Sequence, residues 1–170
     1  MSKGMVHIYT GDGKGKTSSA IGLAVRCAGH DRKIIIYQFL KATPTGELDS
    51  LKKLGITVVR ANSCGKFYYD MTDNEKLITK TETKKAISMM FSEDCDLLIL
   101  DEILCAVNNG IINVDDIIKI IKNKPAHTEL VLTGRNMPEK LLKYADYVSE
   151  IRCIKHPFEK GIDARCGIDF

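Results

Sequence analysis

The sequence contains no tryptophan, and aromatic residues make up only 6% of its 170 residues, so aromatic side chains grouped in one loop would be unusual. Long apolar runs are also missing. The two most apolar stretches, 33–40 and 96–107, are too short to span a bilayer, and Asp101 and Glu102 interrupt the second. The N-terminus has no uninterrupted apolar core of a signal peptide. These absences exclude a membrane-spanning protein and predict a cytoplasmic one.

Positive and negative charges are nearly balanced, with 25 lysines and arginines and 22 aspartates and glutamates, which gives a net charge of +3. Such a small excess gives no support for a nucleic-acid or membrane partner. No two of the six cysteines are separated by only two residues, so the usual zinc-finger spacing is absent and reduced thiols are expected. With 44% apolar and 28% charged residues, the chain is predicted to form one globular domain over 1–170.

Apolar runs alternate with amphipathic stretches along the chain. The pattern predicts strands at 5–9, 33–40, 56–60, 96–100, 129–133 and 147–154, and helices at 16–28, 47–54, 72–91, 114–122 and 138–144. This alternation is typical of an α/β fold, a mainly parallel sheet with helices on both faces. Ligands bind such sheets at the carboxyl ends of the strands, so the loops after the first and fourth strands are the candidate sites.

The loop after the first strand has the composition of a phosphate-binding loop. Its glycines allow successive N–H groups to point inward at an anion, and the helix that follows adds its own free N–H groups. Lys16 can reach phosphate oxygens and Thr17 can offer its hydroxyl to Mg²⁺. The strand–loop–helix context favours a P-loop NTPase-like (RecA-like) fold over an ordinary glycine-rich turn. The predicted nucleotide-binding residues here are Thr10, Gly11, Asp12, Gly13, Lys14, Gly15, Lys16, Thr17 and Ser18.

The loop departs from the usual pattern in one respect. Thr10 occupies the place of the first glycine, which comes one residue later at Gly11, and Lys14 adds a second positive charge. The displaced glycine indicates that phosphates are held differently from those in a standard ATPase. Asp12 could touch the ligand, although an acid beside phosphates more often holds the loop, binds a lysine or faces water.

The fourth predicted strand ends in Asp101 and Glu102. An apolar strand ending in carboxylates resembles a Walker B segment, which contacts Mg²⁺ directly or through water. Acids also follow buried strands as helix caps, so this segment is informative only together with the phosphate loop. The predicted ligands of Mg²⁺ or Mn²⁺ are Thr17, Asp101 and Glu102.

Nearly the whole chain, in order, resembles the ATP:corrinoid adenosyltransferases of the CobA/CobO/BtuR family. The phosphate loop 11–20 and the C-terminal signature carry most of the resemblance. The matching segments are 11–20, Arg26, 29–30, 38–41, 46–47, 101–102, 133–135, 145–146, 155–158, 161–162, 164–165 and 167–170.

The resemblance implies that Co(I) of a reduced corrinoid attacks the 5′ carbon of ATP and that triphosphate leaves. Family members bind ATP in a reversed sense along the loop, in agreement with the shifted glycine. Cobalt is the nucleophile, which fits a sequence with no evident nucleophile–base constellation. Lys16 is then a catalytic residue that stabilises the leaving triphosphate, and Arg26 and Arg135 are nucleotide-binding candidates. A helical arginine such as Arg26 is, however, more often a surface group.

In this family, aromatic side chains below the corrin ring displace the lower cobalt ligand and make Co(II) easier to reduce. Phe67 matches the first aromatic of that motif, and Tyr69 stands where tryptophan is common. The two are the remaining predicted catalytic residues; the alternative is that these loop aromatics fold onto the core. The resemblance also implies a flavoprotein reductase as electron donor and a homodimer.

Departures from the family pattern are modest. Ile103 and Leu104 follow the acidic pair where Leu-Asn is common, and Asp12 stands where asparagine is frequent. The N-terminal extension that covers the corrinoid in longer members is largely missing, so a partner subunit is expected to help enclose the substrate. Two other functions stay open, an ordinary P-loop NTPase or kinase and a non-catalytic ATP- and corrinoid-binding module. DNA binding of the RecA kind is the least favoured.

Overall fold

Six strands form one sheet in the order β3-β2-β4-β5-β1-β6, and every neighbouring pair is parallel. A computed structural model describes residues 3–41 and 44–170. The predicted α/β architecture is confirmed. The strands are β1 Val6–Thr10, β2 Ile34–Gln38, β3 Thr57–Arg60, β4 Leu97–Asp101, β5 Glu129–Thr133 and β6 Tyr147–Glu150.

The helices follow the predicted alternation with two differences. A short helix, Ile103–Asn108, was not predicted, because only two acids separate its apolar residues from the apolar run of β4. Segment 138–144 was predicted as a helix and forms 3₁₀ turns instead. The helices are α1 Lys16–Ala28, α2 Glu47–Lys53, α3 Asp73–Met89, α4 Ile103–Asn108 and α5 Val114–Asn123, with 3₁₀ segments at Tyr68–Asp70, Glu139–Tyr144 and Pro157–Lys160.

The central strands are covered on both faces, which explains their continuous apolar sequence. Every residue of β2 and β4 is buried. Ile34 and Ile36 pack with Ala20, Ala24 and Leu51 on the face of α1 and α2. The core cluster on the opposite face of the sheet contains more residues and lies under α4 and α5. It includes Ile35, Leu98, Leu100, Ile103, Leu104, Ile117 and Ile118. Burial of each large apolar side chain contributes about 1.5–3 kcal/mol to the stability of the fold. The sheet is therefore held firmly between its helices.

The strand order determines which loops meet. Strand β5 lies between β4 and β1, so the carboxyl ends of these three neighbours stand side by side at one edge. The phosphate loop after β1, the acidic end of β4 and the end of β5 therefore share one site. Within residues 3–41 and 44–170, the helices are all too short or too polar to cross a membrane.

Candidate functional site

The phosphate loop joins β1 to α1 and turns on two glycines with positive φ angles, Gly11 at 103° and Gly15 at 121°. Such angles favour glycine because a side chain would clash with the backbone. Gly15 is the N-cap of α1 and provides no side-chain cap, so the first N–H groups of this 13-residue helix have no side-chain acceptor there. The loop therefore has the geometry of an anion site at a helix N-terminus.

The chain just after β6 forms a second wall of the loop. The Gly13 N–H donates to the Ile151 carbonyl at 2.8 Å, and Asp12 accepts from the Cys153 N–H at 3.1 Å. The hydrogen bond from Cys153 is the largest cause of the lowered pKa of Asp12. A Cβ on Gly11 would lie 2.3 Å from the Ile151 carbonyl oxygen, so no other residue fits there. Asp12 thus holds the loop against the chain that follows β6.

Lys16 curls back over the loop. Its Nζ donates to the Gly13 carbonyl at 2.6 Å, so the ammonium group lies at the phosphate loop itself. Burial, followed by the nearby Arg135 guanidinium, lowers the pKa of Lys16. The positive charges of Lys16 and Arg135 therefore act on each other at this loop, where phosphate charge would be neutralised.

The buried carboxylate of Asp101 connects three chain segments. Its Oδ1 accepts hydrogen bonds from Thr17 Oγ1 at 2.9 Å and from Thr133 Oγ1 at 2.7 Å. The Thr133 oxygen in turn accepts from the Glu102 N–H at 2.9 Å. Asp101 is only 1% exposed. The hydroxyl of the phosphate-loop threonine is therefore in direct contact with the acid that ends β4.

Glu102 lies directly beyond β4 in a left-handed conformation, with φ at 61°. A non-glycine residue in this region costs roughly 1–3 kcal/mol and is held by its surroundings. Here Thr133 supplies the holding contact. Burial, followed by the charge of Asp101, raises the pKa of Glu102. Such a crowded pair of carboxylates favours binding of a cation.

A second buried ionic group adjoins Asp101. Lys41 Nζ lies 3.3 Å from Asp101 Oδ2 and 3.0 Å from Glu47 Oε1, and its side chain is only 14% exposed. Gln38 Nε2 donates to the same Glu47 oxygen at 3.3 Å. Although burial alone would lower the pKa of Lys41, Asp101 and Glu47 outweigh it and raise that pKa.

The donor set at this edge suits Mg²⁺. Magnesium in nucleotide sites takes one or two carboxylates, a hydroxyl and phosphate oxygens, and keeps several waters. Thr17, Asp101 and Glu102 supply oxygens of these kinds. Across 3–41 and 44–170, no cluster of three or more His, Cys, Asp or Glu side chains forms a complete protein cage, which magnesium does not need.

The other nucleotide-binding candidates take different positions. Thr10 is buried and accepts from the Met137 N–H at 3.3 Å, whereas Ser18 is exposed. Arg135 is exposed beside the loop, and its backbone carbonyl accepts from Asn108. Arg26 lies in the last turn of α1, about 15 Å along the helix from Lys16, so the fold does not bring it to the loop.

The side chain of Lys14 is paired with the C-terminal end of the chain. Its Nζ contacts the carboxylate of Asp169 and, at 3.1 Å, the carbonyl of Ile168, both at the C-terminal end of the chain. The sequence predicts that Lys14 binds phosphate. In the structure its ammonium group contacts Asp169 and Ile168 of the same chain.

Two aromatic rings protrude from the loop between β3 and α3. Phe67 and Tyr69 are 54% and 78% exposed, and their rings are nearly parallel with centroids 5.7 Å apart. Tyr68, between them, packs against the main core. The alternative that the aromatics fold onto the core thus fits Tyr68 and does not fit the outer two.

Polar contacts to α3 hold the base of this aromatic loop. Ser63 donates from both its N–H and its hydroxyl to Glu82, at 3.0 and 2.5 Å. Lys66 pairs with Glu75 at 2.6 Å, and Glu75 also closes the capping box with Thr72 that the sequence predicted. The residues that precede the exposed rings in this loop are therefore held against α3.

Sequence reasoning gave no role to Thr133, Lys41, Glu47 or Asp169. All four lie in segments that matched the family. Thr133 contacts Asp101 from 32 positions away and Asp169 contacts Lys14 from 155 positions away, so neither contact leaves a local pattern. For Lys41 a signal was available, since a charged residue directly after a buried apolar strand lies at the ligand-binding edge.

Comparison with known proteins agrees with this geometry. The family model described as ATP:corrinoid adenosyltransferase BtuR/CobO/CobP matches residues 2–170. A corrinoid adenosyltransferase of Escherichia coli (strain K12) is 32% identical over 171 residues, 99% of this chain and 86% of that protein. One from Sinorhizobium sp is 35% identical over 173 residues, 99% of this chain and 81% of that protein. The corrinoid adenosyltransferase CobA of Salmonella typhimurium is 32% identical over 174 residues, with 99% and 86% covered. The chain therefore belongs to the ATP:corrinoid adenosyltransferase family.

Proposed function

We propose that this protein transfers the 5′-deoxyadenosyl group of ATP to the Co(I) centre of a corrinoid and releases triphosphate, in adenosylcobalamin synthesis or salvage. The observation that carries the proposal is the direct link from the phosphate loop to the acidic strand end, Thr17 to Asp101, within a chain of this family. The link brings a phosphate-binding loop and hard oxygen ligands to one point.

The chain's own residues would act mainly on the leaving group. Triphosphate departs with about four negative charges, and preformed N–H groups and cations at that position lower the barrier. Lys16 and Arg135 provide positive charge, and the uncapped start of α1 after Gly15 provides N–H groups. Mg²⁺, held by Thr17, Asp101 and Glu102, would supply further charge neutralisation. Since the corrinoid substrate brings its own nucleophile, no side chain has to act as a general base.

We further propose that Phe67 and Tyr69 contact the lower face of the corrin and favour loss of the lower cobalt ligand. Their exposure and parallel stacking on an anchored loop support this role. Reduction to Co(I) would then come from a flavoprotein reductase. A homodimer in the cytoplasm is the expected working form.

The test is anaerobic incubation with ATP, Mg²⁺ and chemically reduced cobalamin. We expect the spectrum of the light-sensitive adenosylated product and one inorganic triphosphate per turnover. ADP and phosphate would instead indicate phosphoryl transfer, and binding of both substrates without product would indicate a binding module. Either result contradicts the proposal.

A further inference from the structure

The last residues of the chain return to the phosphate loop. After the contacts of Ile151 and Cys153 with that loop, segment 154–164 leads away through the 3₁₀ turn Pro157–Lys160. Residues 165–170 then come back to Lys14. The carbonyl oxygen of Phe170 lies 4.0 Å from where a Cβ of Gly46 would be, at the start of α2. We call segment 154–170 the C-terminal strap.

An acid at the end of the strap joins two cations. The Asp169 carboxylate contacts Lys14 through Oδ1, and its Oδ2 accepts from the N–H and Nε of Arg165, at 2.9 and 3.1 Å. Lys14, followed by the Arg165 backbone, holds the pKa of Asp169 well below its usual range. The acid is therefore ionised at any physiological pH.

The strap makes few other contacts. Its residues from Pro157 to Phe170 are all exposed, including the apolar side chains of Phe158, Ile162 and Ile168. A segment without a buried apolar anchor is held weakly and opens easily. Within the described part of the chain, the Lys14–Asp169 contact is the one ion pair that joins the strap to the body.

From this geometry we infer that Asp169 is an internal anion that occupies Lys14 while the nucleotide site is empty, and that the triphosphate of ATP displaces it and releases the strap. The inference rests on the proposed ATP site and deepens it, since it assigns Lys14 two alternating partners. A triphosphate group carries about four negative charges against one for Asp169, so it is the stronger partner for the ammonium group.

The competition predicts the direction in which the affinity for inorganic triphosphate changes in a variant. The affinity is measured by calorimetry at low salt. Asp169→Asn removes the competing charge without removing either cation, so the variant should bind about two- to fivefold more tightly, the range of an exposed ion pair. Asp163→Asn is the matched control, because it makes the same charge change in the same strap without a contact to Lys14. It should leave the affinity unchanged.

Two further measurements separate competition from a merely structural role. Asp169→Asn should give no gain in a Lys14→Ala background. Hydrogen exchange at residues 165–169 of the wild-type protein should accelerate when triphosphate is added, and should already be fast in Asp169→Asn without it. Unchanged or weaker binding by Asp169→Asn, an equal gain in Asp163→Asn, or unaltered exchange would overturn the inference while leaving the proposed function intact. Absence of triphosphate binding by every variant would instead overturn both.

Discussion

Thr133 donates a 2.7 Å hydrogen bond to Asp101 at the edge where the ends of β4 and β5 meet, and the same Thr133 oxygen accepts from the Glu102 N–H. One hydroxyl therefore orients both acids of the candidate metal site. It shares Asp101 Oδ1 with the Thr17 hydroxyl and is the acceptor for the Glu102 N–H.

Thr133→Val should remove both interactions while conserving shape. We expect a loss of about 1–3 kcal/mol in the free energy of unfolding and a weaker, more Mg²⁺-dependent affinity for ATP. Thr128→Val is the matched control, since Thr128 is equally buried and donates at 2.8 Å to the Cys95 carbonyl, outside the site. The control should lose stability alone. Equal effects of both variants on ATP affinity would contradict the orienting role of Thr133.

Lys41→Met should leave the carboxylates of Asp101 and Glu47 without their shared cation. Breaking a buried ion pair in this way costs about 3–5 kcal/mol, measured by urea unfolding. Glu47→Gln in the same background should recover part of the loss, because one of the two unpaired charges is removed. Strictly additive losses in this double-mutant cycle would show that the pair is not coupled.

Phe67→Ala should retain ATP binding and lose most adenosylation of a Co(II) corrinoid supplied with a flavoprotein reductase. The same variant should keep most activity on chemically reduced Co(I), because reduction is the step that it impairs. Tyr69→Phe serves as control; it keeps the exposed ring and should behave as the wild type. Unchanged turnover of Phe67→Ala under flavoprotein reduction would exclude the role proposed for this ring.

The anchor of the aromatic loop should depend on pH. The Lys66 side chain, followed by the Thr72 backbone, lowers the pKa of Glu75 to about 2 from its ordinary 4.5. A lowered pKa stabilises the folded state above pH 4.5, and this contribution is lost as the pH falls toward 2. Glu75→Gln should therefore be less stable than wild type at pH 7, with a difference that narrows below pH 4.5.

Urea midpoints between pH 2 and 7 measure this difference. Asp73→Asn is the control in the same helical turn. The Asp73 side chain is fully exposed, and its carboxylate lies as far as 4.0 Å from Lys76 Nζ, so this ion pair is weak. Its effect should be small. A difference between wild type and Glu75→Gln that stays constant across the range would rule out the assigned titration.

The fold was predictable because the alternation of apolar strands and amphipathic helices is a local property. The bounds of α1 and β5, and the capping box of Thr72 and Glu75, were predicted as they stand. Helix α4 was not, because only two acids separate its residues from the apolar run of β4 and its first turn follows a left-handed glutamate rather than a recognisable cap.

The site was predictable as a list of residues and only partly as an arrangement. The meeting of Thr17 with Asp101 follows from parallel strands that end at one edge. The contact of Lys14 with Asp169 depends on where the C-terminal strap returns, 155 residues later, and no periodicity encodes that path. Assignment of Lys14 to phosphate from the motif alone therefore missed its partner in the structure.

The close approach of Ile151 and Arg152 to the phosphate loop affects how mutants of this loop are interpreted. A methyl group on Gly11 or Gly13 would come within 2.3 or 2.7 Å of that neighbouring backbone. Alanine at either position would push the loop away from the chain that leaves β6, whether or not nucleotide is present. Loss of activity in such a mutant would thus report damage to the scaffold, and substitutions of Lys16 or Thr17 are the cleaner probes of nucleotide recognition.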